Sequence, residues 1–261
     1  MIKFFRKIRQ NLLSEGKTAK YLKYAIGEIV LVVIVILIAL GLNNWNEDRK
    51  SIRNSSVLLK EIVEDLKTDT LVFNTAYNSV LEQIQNEEWA LDRQDYEINQ
   101  VERLWDCFSG WYYDYYINER TFQKIQNDAN TRIIGYDSLY EKIINYYKVH
   151  NNRLKAHVNW DVKEVSEHQQ YMKDLESDIE IDNYRIQMLS NGKAKKSFTS
   201  IQDSLQQAIL MIDFAKSTLG RNHFKNNYIR HSRMLDIFDQ TRKEAANLIK
   251  EINKETNNLE K

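Results

Sequence analysis

Residues 21–50 read YLKYAIGEIVLVVIVILIALGLNNWNEDRK, and this stretch decides where the rest of the chain is placed. From Ile29 to Leu42 fourteen consecutive residues are apolar or Gly. Extending back to Ala25 adds Glu28 as the sole polar residue. A helix from Tyr24 to Trp45 is about 32 Å long, close to the hydrocarbon thickness of a bilayer. Tyr24 and Trp45 then stand at the two headgroup levels, where amphipathic rings are enriched. No other run is long enough to span: Ala208–Ala215 is short and contains Asp213.

Charge orients this span. The 261 residues hold 37 Lys+Arg and 37 Asp+Glu, a formal net charge of zero that hides an asymmetry. Residues 1–23 carry Lys3, Arg6, Lys7, Arg9, Lys17, Lys20 and Lys23 against Glu15 alone, whereas the chain beyond Trp45 is net acidic. The positive-inside rule predicts a cytoplasmic N-terminus and an extracytoplasmic C-terminal part, periplasmic in a Gram-negative cell. The expected organisation is a basic cytoplasmic segment over 1–23, a transmembrane helix over 24–45 and an extracytoplasmic helical bundle over 46–261. Cleavage after Gly41, as in a signal peptide, is the rival reading. Ile2, Phe5, Ile8 and Leu12 recur at helical spacing among Lys3, Arg6, Lys7 and Arg9. That pattern fits a basic amphipathic helix on an anionic membrane surface.

Glu28 lies four residues inside Tyr24, roughly 6 Å below the headgroups by helix rise. One reading is a tolerated interfacial acid that snorkels, takes up a proton or meets Lys23. The other is an acid facing a partner helix, with Gly27 beside it permitting close backbone approach.

YAIGEIVLVVIVILIAL (24–40) followed by NNWNE (43–47), with MIKFFRKIRQNLL before it, resembles the start of a large family of uncharacterised bacterial envelope proteins. That family is classed as a domain of unknown function, with one N-terminal span and a helical exterior part. Its pattern has Gly where this chain has Val35, and Gln-Ile where this chain has Gly41-Leu42. A second resemblance covers residues 119–147, where Phe122, Ile125, Ile134, Leu139, Ile143, Tyr146 and Tyr147 match. Asp128-Ala129 stands in place of Ser-Gly there, and Thr131 in place of Leu. The resemblance implies no enzymatic activity.

Beyond the span there is no proline, and apolar residues recur at three and four. The expectation is all-α: one N-terminal transmembrane helix followed by a long-helix antiparallel bundle. Leu59, Ile62, Leu66, Phe73, Tyr77, Val80, Ile84 and Glu88 trace the first face, on a helix continuing from the span, with a break over 92–99. A second helix begins near Ser138 and Glu141, which have capping-box spacing. Its seam runs through Leu139, Ile143, Tyr146, His150, Leu154, His157 and Asp161, then Val165, His168, Met172, Leu175 and Ile179. Residues 183–200 read as a loop. A third pattern holds Leu205, Ile209, Ile212 and Leu219, stopped by Gly220. The last helix buries Leu235, Phe238, Ala245, Leu248 and Ile252.

WDCFSGWYYDYY (105–116) breaks the helical pattern, with Trp105, Phe108, Trp111, Tyr112, Tyr113, Tyr115 and Tyr116 around Gly110. It is either a hydrophobic plug at one end of the bundle or an exposed platform for a glycan, a peptide or a protein. His150, His157 and His168 share a face but lie too far apart for one ion, and His223 and His231 have no ligand-spaced partner. They read as polar seam positions; a pH-responsive packing layer is the other reading. Cys107, the only cysteine, is either buried or bridges two chains, and its aromatic neighbours favour burial. No nucleophile elbow, phosphate loop or zinc-protease motif occurs. No catalytic residue, metal site or cofactor is therefore expected, and the acidic exterior disfavours nucleic acid.

The expectation is a membrane-anchored, non-enzymatic envelope protein that binds a protein partner or its own copy. The alternative is an extracytoplasmic sensor or ligand-binding bundle that signals through a partner.

Overall fold

The structure, a computed structural model, describes residues 18–108, 111–127, 133–181, 183, 186, 187, 190 and 192–259. Lys3, Arg6, Lys7 and Arg9, the whole basic segment up to residue 17, and Gly110 lie outside the described residues, as do the side chains of Tyr24, His168 and Met172. The described residues are mostly helical, with no strand among them.

Helix α1 (Thr18–Leu91) runs unbroken for 74 residues. Gly27 and Gly41 are the weakest helix formers in its first half, and between them the span is filled by Ile, Val, Leu and Ala apart from Glu28. From Ala25 on it is long and apolar enough to cross a membrane, and none of that apolar window is buried. Trp45 is exposed, with the Arg49 guanidinium 5.5 Å from its ring centre.

The chain divides into two compact units. One holds the described residues up to Val57 together with 133–135. There the Ser55 hydroxyl donates to the Ser51 carbonyl and accepts from the Ile134 amide. Gly135 takes φ +82°, a conformation L side chains avoid, and a Cβ there would press on Ile52 at 3.2 Å.

The other unit holds the described residues of 58–127 and those from Tyr136 on. After α1 come a 3₁₀ turn (Ile98–Gln100), α2 (Val101–Cys107), α3 (Arg120–Asn127) and α4 (Asp137–Ile144). A π-helical turn (Asn145–His150) leads into α5 (Asn151–Asp178), followed by α6 (Ser204–Lys216) and α7 (Thr218–Leu259). Register pairs fix the directions. Asn74 meets Arg242, and Glu87 meets His231, so α7 runs antiparallel to α1. His150 meets Thr241 and Asp161 meets Arg230, so α7 also runs antiparallel to α5.

The core lies between these three. Leu59, Ile62, Leu66, Phe73, Leu154 and Phe238 are among its fully buried side chains. Each such residue contributes about 1.5–3 kcal/mol relative to an exposed one. The break over 92–99 occurs, with Tyr96 donating its hydroxyl to the Ala90 carbonyl across it.

Four local expectations are corrected. Near the end of α1 it is Glu87 that is buried, and Glu88 is exposed. Helix α4 is entered from Tyr136 with no side-chain cap, which leaves Ser138 in the first turn. In α6 the buried face is Ala208, Met211 and Ala215, while Leu205 and Ile209 are exposed: small residues allow the close approach to α2 and α7. The stop after α6 is Ser217, extended at ψ 157°, and Gly220 lies in the first turn of α7. Gly is required there because a Cβ would fall 2.1 Å from the Phe214 carbonyl oxygen.

Candidate functional site

The aromatic stretch divides by burial. Trp105 and Phe108 are buried beside Leu104, Cys107, Met211 and Phe224. Phe108 stacks on His223 with ring centres 5.1 Å apart, and Trp105 meets it edge-on. Tyr113 and Tyr115 are half-buried, their rings packed edge-to-face against Phe238. Trp111, Tyr112 and Tyr116 remain 47%, 49% and 50% exposed. The Tyr116 hydroxyl bonds to the Asp114 carboxylate, which raises its pKa above the usual phenol value.

A buried polar chain holds the backbone under these rings. Arg230 Nη1 donates to Asp161 Oδ1 at 2.7 Å and to the Trp111 carbonyl at 3.2 Å. The other Asp161 oxygen accepts from the Tyr113 amide at 2.8 Å. Arg230 Nη2 donates to His231 Nε2 at 2.7 Å, and His231 Nδ1 meets Glu87 Oε1 at 2.6 Å. Because Nε2 accepts from a guanidinium, the imidazole proton must sit on Nδ1 and is donated to Glu87. Burial and the Arg230 charge push His231 down to about 2, so the ring stays neutral. Burial raises Glu87 to about 9, against the pull of Arg230. Its Oε2 is buried with no hydrogen-bond partner among the described residues, consistent with a neutral acid.

A second polar cluster ties α1 to the π-helical turn. Asp69 accepts from the Asn118 amide and from the Tyr146 hydroxyl, both within 2.9 Å. Burial raises it to about 6. Asp65, one turn earlier, accepts from the Thr121 amide at the start of α3 and from Arg120 at 2.7 Å. Carboxylates at a helix N-terminus satisfy its free amides and oppose its dipole.

The remaining positions singled out in the sequence are placed as follows. Gly27 is exposed on α1, with no described atom within 4 Å of where a Cβ would stand, and Glu28 is half-buried beside it. Cys107 is buried, its thiol bonded to the Asn86 and Arg103 carbonyls, and burial raises it to about 12. His150, at the end of the π-helical turn, and His231, on α7, are buried, whereas His157 is half-buried and Val158 takes the core position beside it. Sequence reading missed Glu87 and Arg230 as partners, and Asp65 and Asp69 altogether. The available signal was charge at seam positions: Asp69 fills the gap between Leu66 and Phe73, and Arg230 stands four residues before Met234.

No curated protein and no solved structure matches the chain. The sequence model of one family, described as "Family of unknown function (DUF6090)", matches residues 28–170. That segment carries the apolar window of α1, the aromatic stretch and Asp161, and it is more than half of the 261 residues. The chain therefore belongs to the DUF6090 family of unknown function.

Proposed function

We propose that the chain is a single-pass protein of the cytoplasmic membrane, N-terminus inside. Its helical part works outside the cell membrane as a non-enzymatic interaction or scaffold module. The anchoring half of this reading draws on the unburied apolar window of α1 and on the basic residues that precede it. The interaction half is carried by one observation. Trp111, Tyr112 and Tyr116 stand half-exposed on a backbone that the buried Arg230–Asp161 pair grips at Trp111 and Tyr113. Aromatic rings on a fixed backbone offer large contact area and lose little conformational entropy on binding. The partner is a protein, either a second copy of this chain or another membrane-exposed domain.

A photo-crosslinking residue placed at Tyr112 or Tyr116 of the full-length chain, in native membranes, tests this. A discrete adduct is expected from these positions and none from Lys67, an exposed site on α1. An adduct at twice 31.1 kDa identifies a second copy, and another defined mass identifies a different partner. Trp111→Ala abolishes the adduct in either case. Absence of any adduct from both positions overturns the reading.

A further inference from the structure

We propose that the groove between the π-helical turn and α7 binds a free α-amino acid with an apolar side chain. This goes beyond the interaction reading and does not depend on the aromatic strip. The groove encloses about 500 Å³, within the range of small-molecule sites. Glu141, Asn145, Val149 and Arg153 line one wall, and Glu244 and Leu248 the other. Tyr146 and His150 also line it, from the core side.

The π-helical turn supplies Asn145, Tyr146, Val149 and His150 to the groove. Six residues, Asn145–His150, are wound more widely than an α-helix, a feature frequent at functional sites. Two of the three buried rings of this turn, Tyr146 and His150, line the groove and are fixed in advance. Tyr146 and His150 stack with centres 5.8 Å apart, and the Tyr146 hydroxyl is held by Asp69. His150 Nε2 meets Thr241 Oγ1 at 2.9 Å, and that hydroxyl donates onward to the Ile237 carbonyl. The imidazole must therefore donate through Nε2, which leaves Nδ1 as a lone-pair acceptor. Burial holds the ring below its usual pKa and so neutral.

Charge gives the ligand class. Lys142 and Glu251 neutralise each other at 2.9 Å. Arg153, Glu141 and Glu244 have no ion pair among the described residues, so one guanidinium and two carboxylates face a common groove without partners. A zwitterion engages one charge of each sign in this set and leaves the exposed Glu141 to solvent. Its carboxylate takes the forked guanidinium of Arg153, and its ammonium takes Glu244. Val149 and Leu248, with the stacked rings, offer apolar contact to the side chain. An anion alone would leave the carboxylates facing it, and a cation alone would leave Arg153 unmatched.

Equilibrium dialysis of radiolabelled L-leucine against the full-length chain in detergent micelles is the test. Saturable binding is expected, competed by L-phenylalanine but not by isoamylamine or 4-methylpentanoate, each of which keeps one of the two charges. Arg153→Gln and Glu244→Gln change exposed side chains, leave the melting curve in place, and each weaken binding at least about tenfold, the value of a lost charge-assisted pair. Trp111→Ala leaves it unaltered, which separates this site from the aromatic strip. No saturable binding, equal competition by a single-charge analogue, or full binding in both variants overturns the proposal.

Discussion

The Arg230 guanidinium stands 2.7 Å from the Asp161 carboxylate, and the two side chains are 5% and 0% exposed. Removing one partner strands the other charge in the core. Asp161→Leu is expected to lower unfolding free energy by about 3–5 kcal/mol, read from urea denaturation of the full-length chain. Adding Arg230→Met to it recovers part of that loss, because two apolar side chains can replace a buried pair. Amide exchange at Tyr113 accelerates in both, since its acceptor is gone.

Glu87 gives stability a pH dependence. Its ordinary value is 4.5 and its folded value about 9, so between these the native state keeps a proton that the unfolded chain has released. Stability from this group is complete below 4.5 and declines as pH rises toward 9. His231, lowered from 6.5 to about 2, acts in the opposite sense and only below 6.5. Over pH 6.5–9 the melting temperature of Glu87→Gln is therefore expected to fall less than that of the wild type. Parallel curves for the two would show that Glu87 is ionised in the fold.

Gly220→Ala sets two effects against each other. Alanine improves helix propensity by about 1 kcal/mol. Its Cβ, however, would stand 2.1 Å from the Phe214 carbonyl oxygen and 2.9 Å from its carbon, both backbone atoms. Backbone cannot swing aside as a side chain can, so net destabilisation is expected, about 1–3 kcal/mol. A melting point at or above wild type would refute the close approach of α6 and α7.

Cys107 should be inert in the fold. Its thiol is 1% exposed and raised to about 12 by burial, and thiolate is the reactive form. Ellman's reagent at pH 8 is expected to leave it unmodified until urea unfolds the chain, and non-reducing gels to show no disulfide-linked dimer.

The helices were legible in the sequence because burial repeats at three and four. Leu59, Ile62, Leu66 and Phe73 on α1, and Phe238, Ala245, Leu248 and Ile252 on α7, are buried as that period requires. Partnering was not legible. The Glu87–His231 bond joins residues 144 apart, and no local pattern states which of several polar seam positions will meet. The face of α6 was misjudged because Ala208 and Ala215 gain their burial from close approach, not from size. In the aromatic stretch, composition is uniform but burial is not: what separates Phe108 from Tyr112 is the path of the backbone, set by Asp161 and Arg230 far along the chain.

The pairing of Asn74 with Arg242 also has a consequence in time. These residues are 168 positions apart, and a ribosome adding about 5–20 residues per second needs roughly 8–34 s to make that interval. Phe73 therefore emerges long before Phe238, the ring that covers it at 5.6 Å, has been synthesised. During that interval the apolar face of α1 lacks its α7 cover, and every nascent chain passes through this open form before α7 arrives.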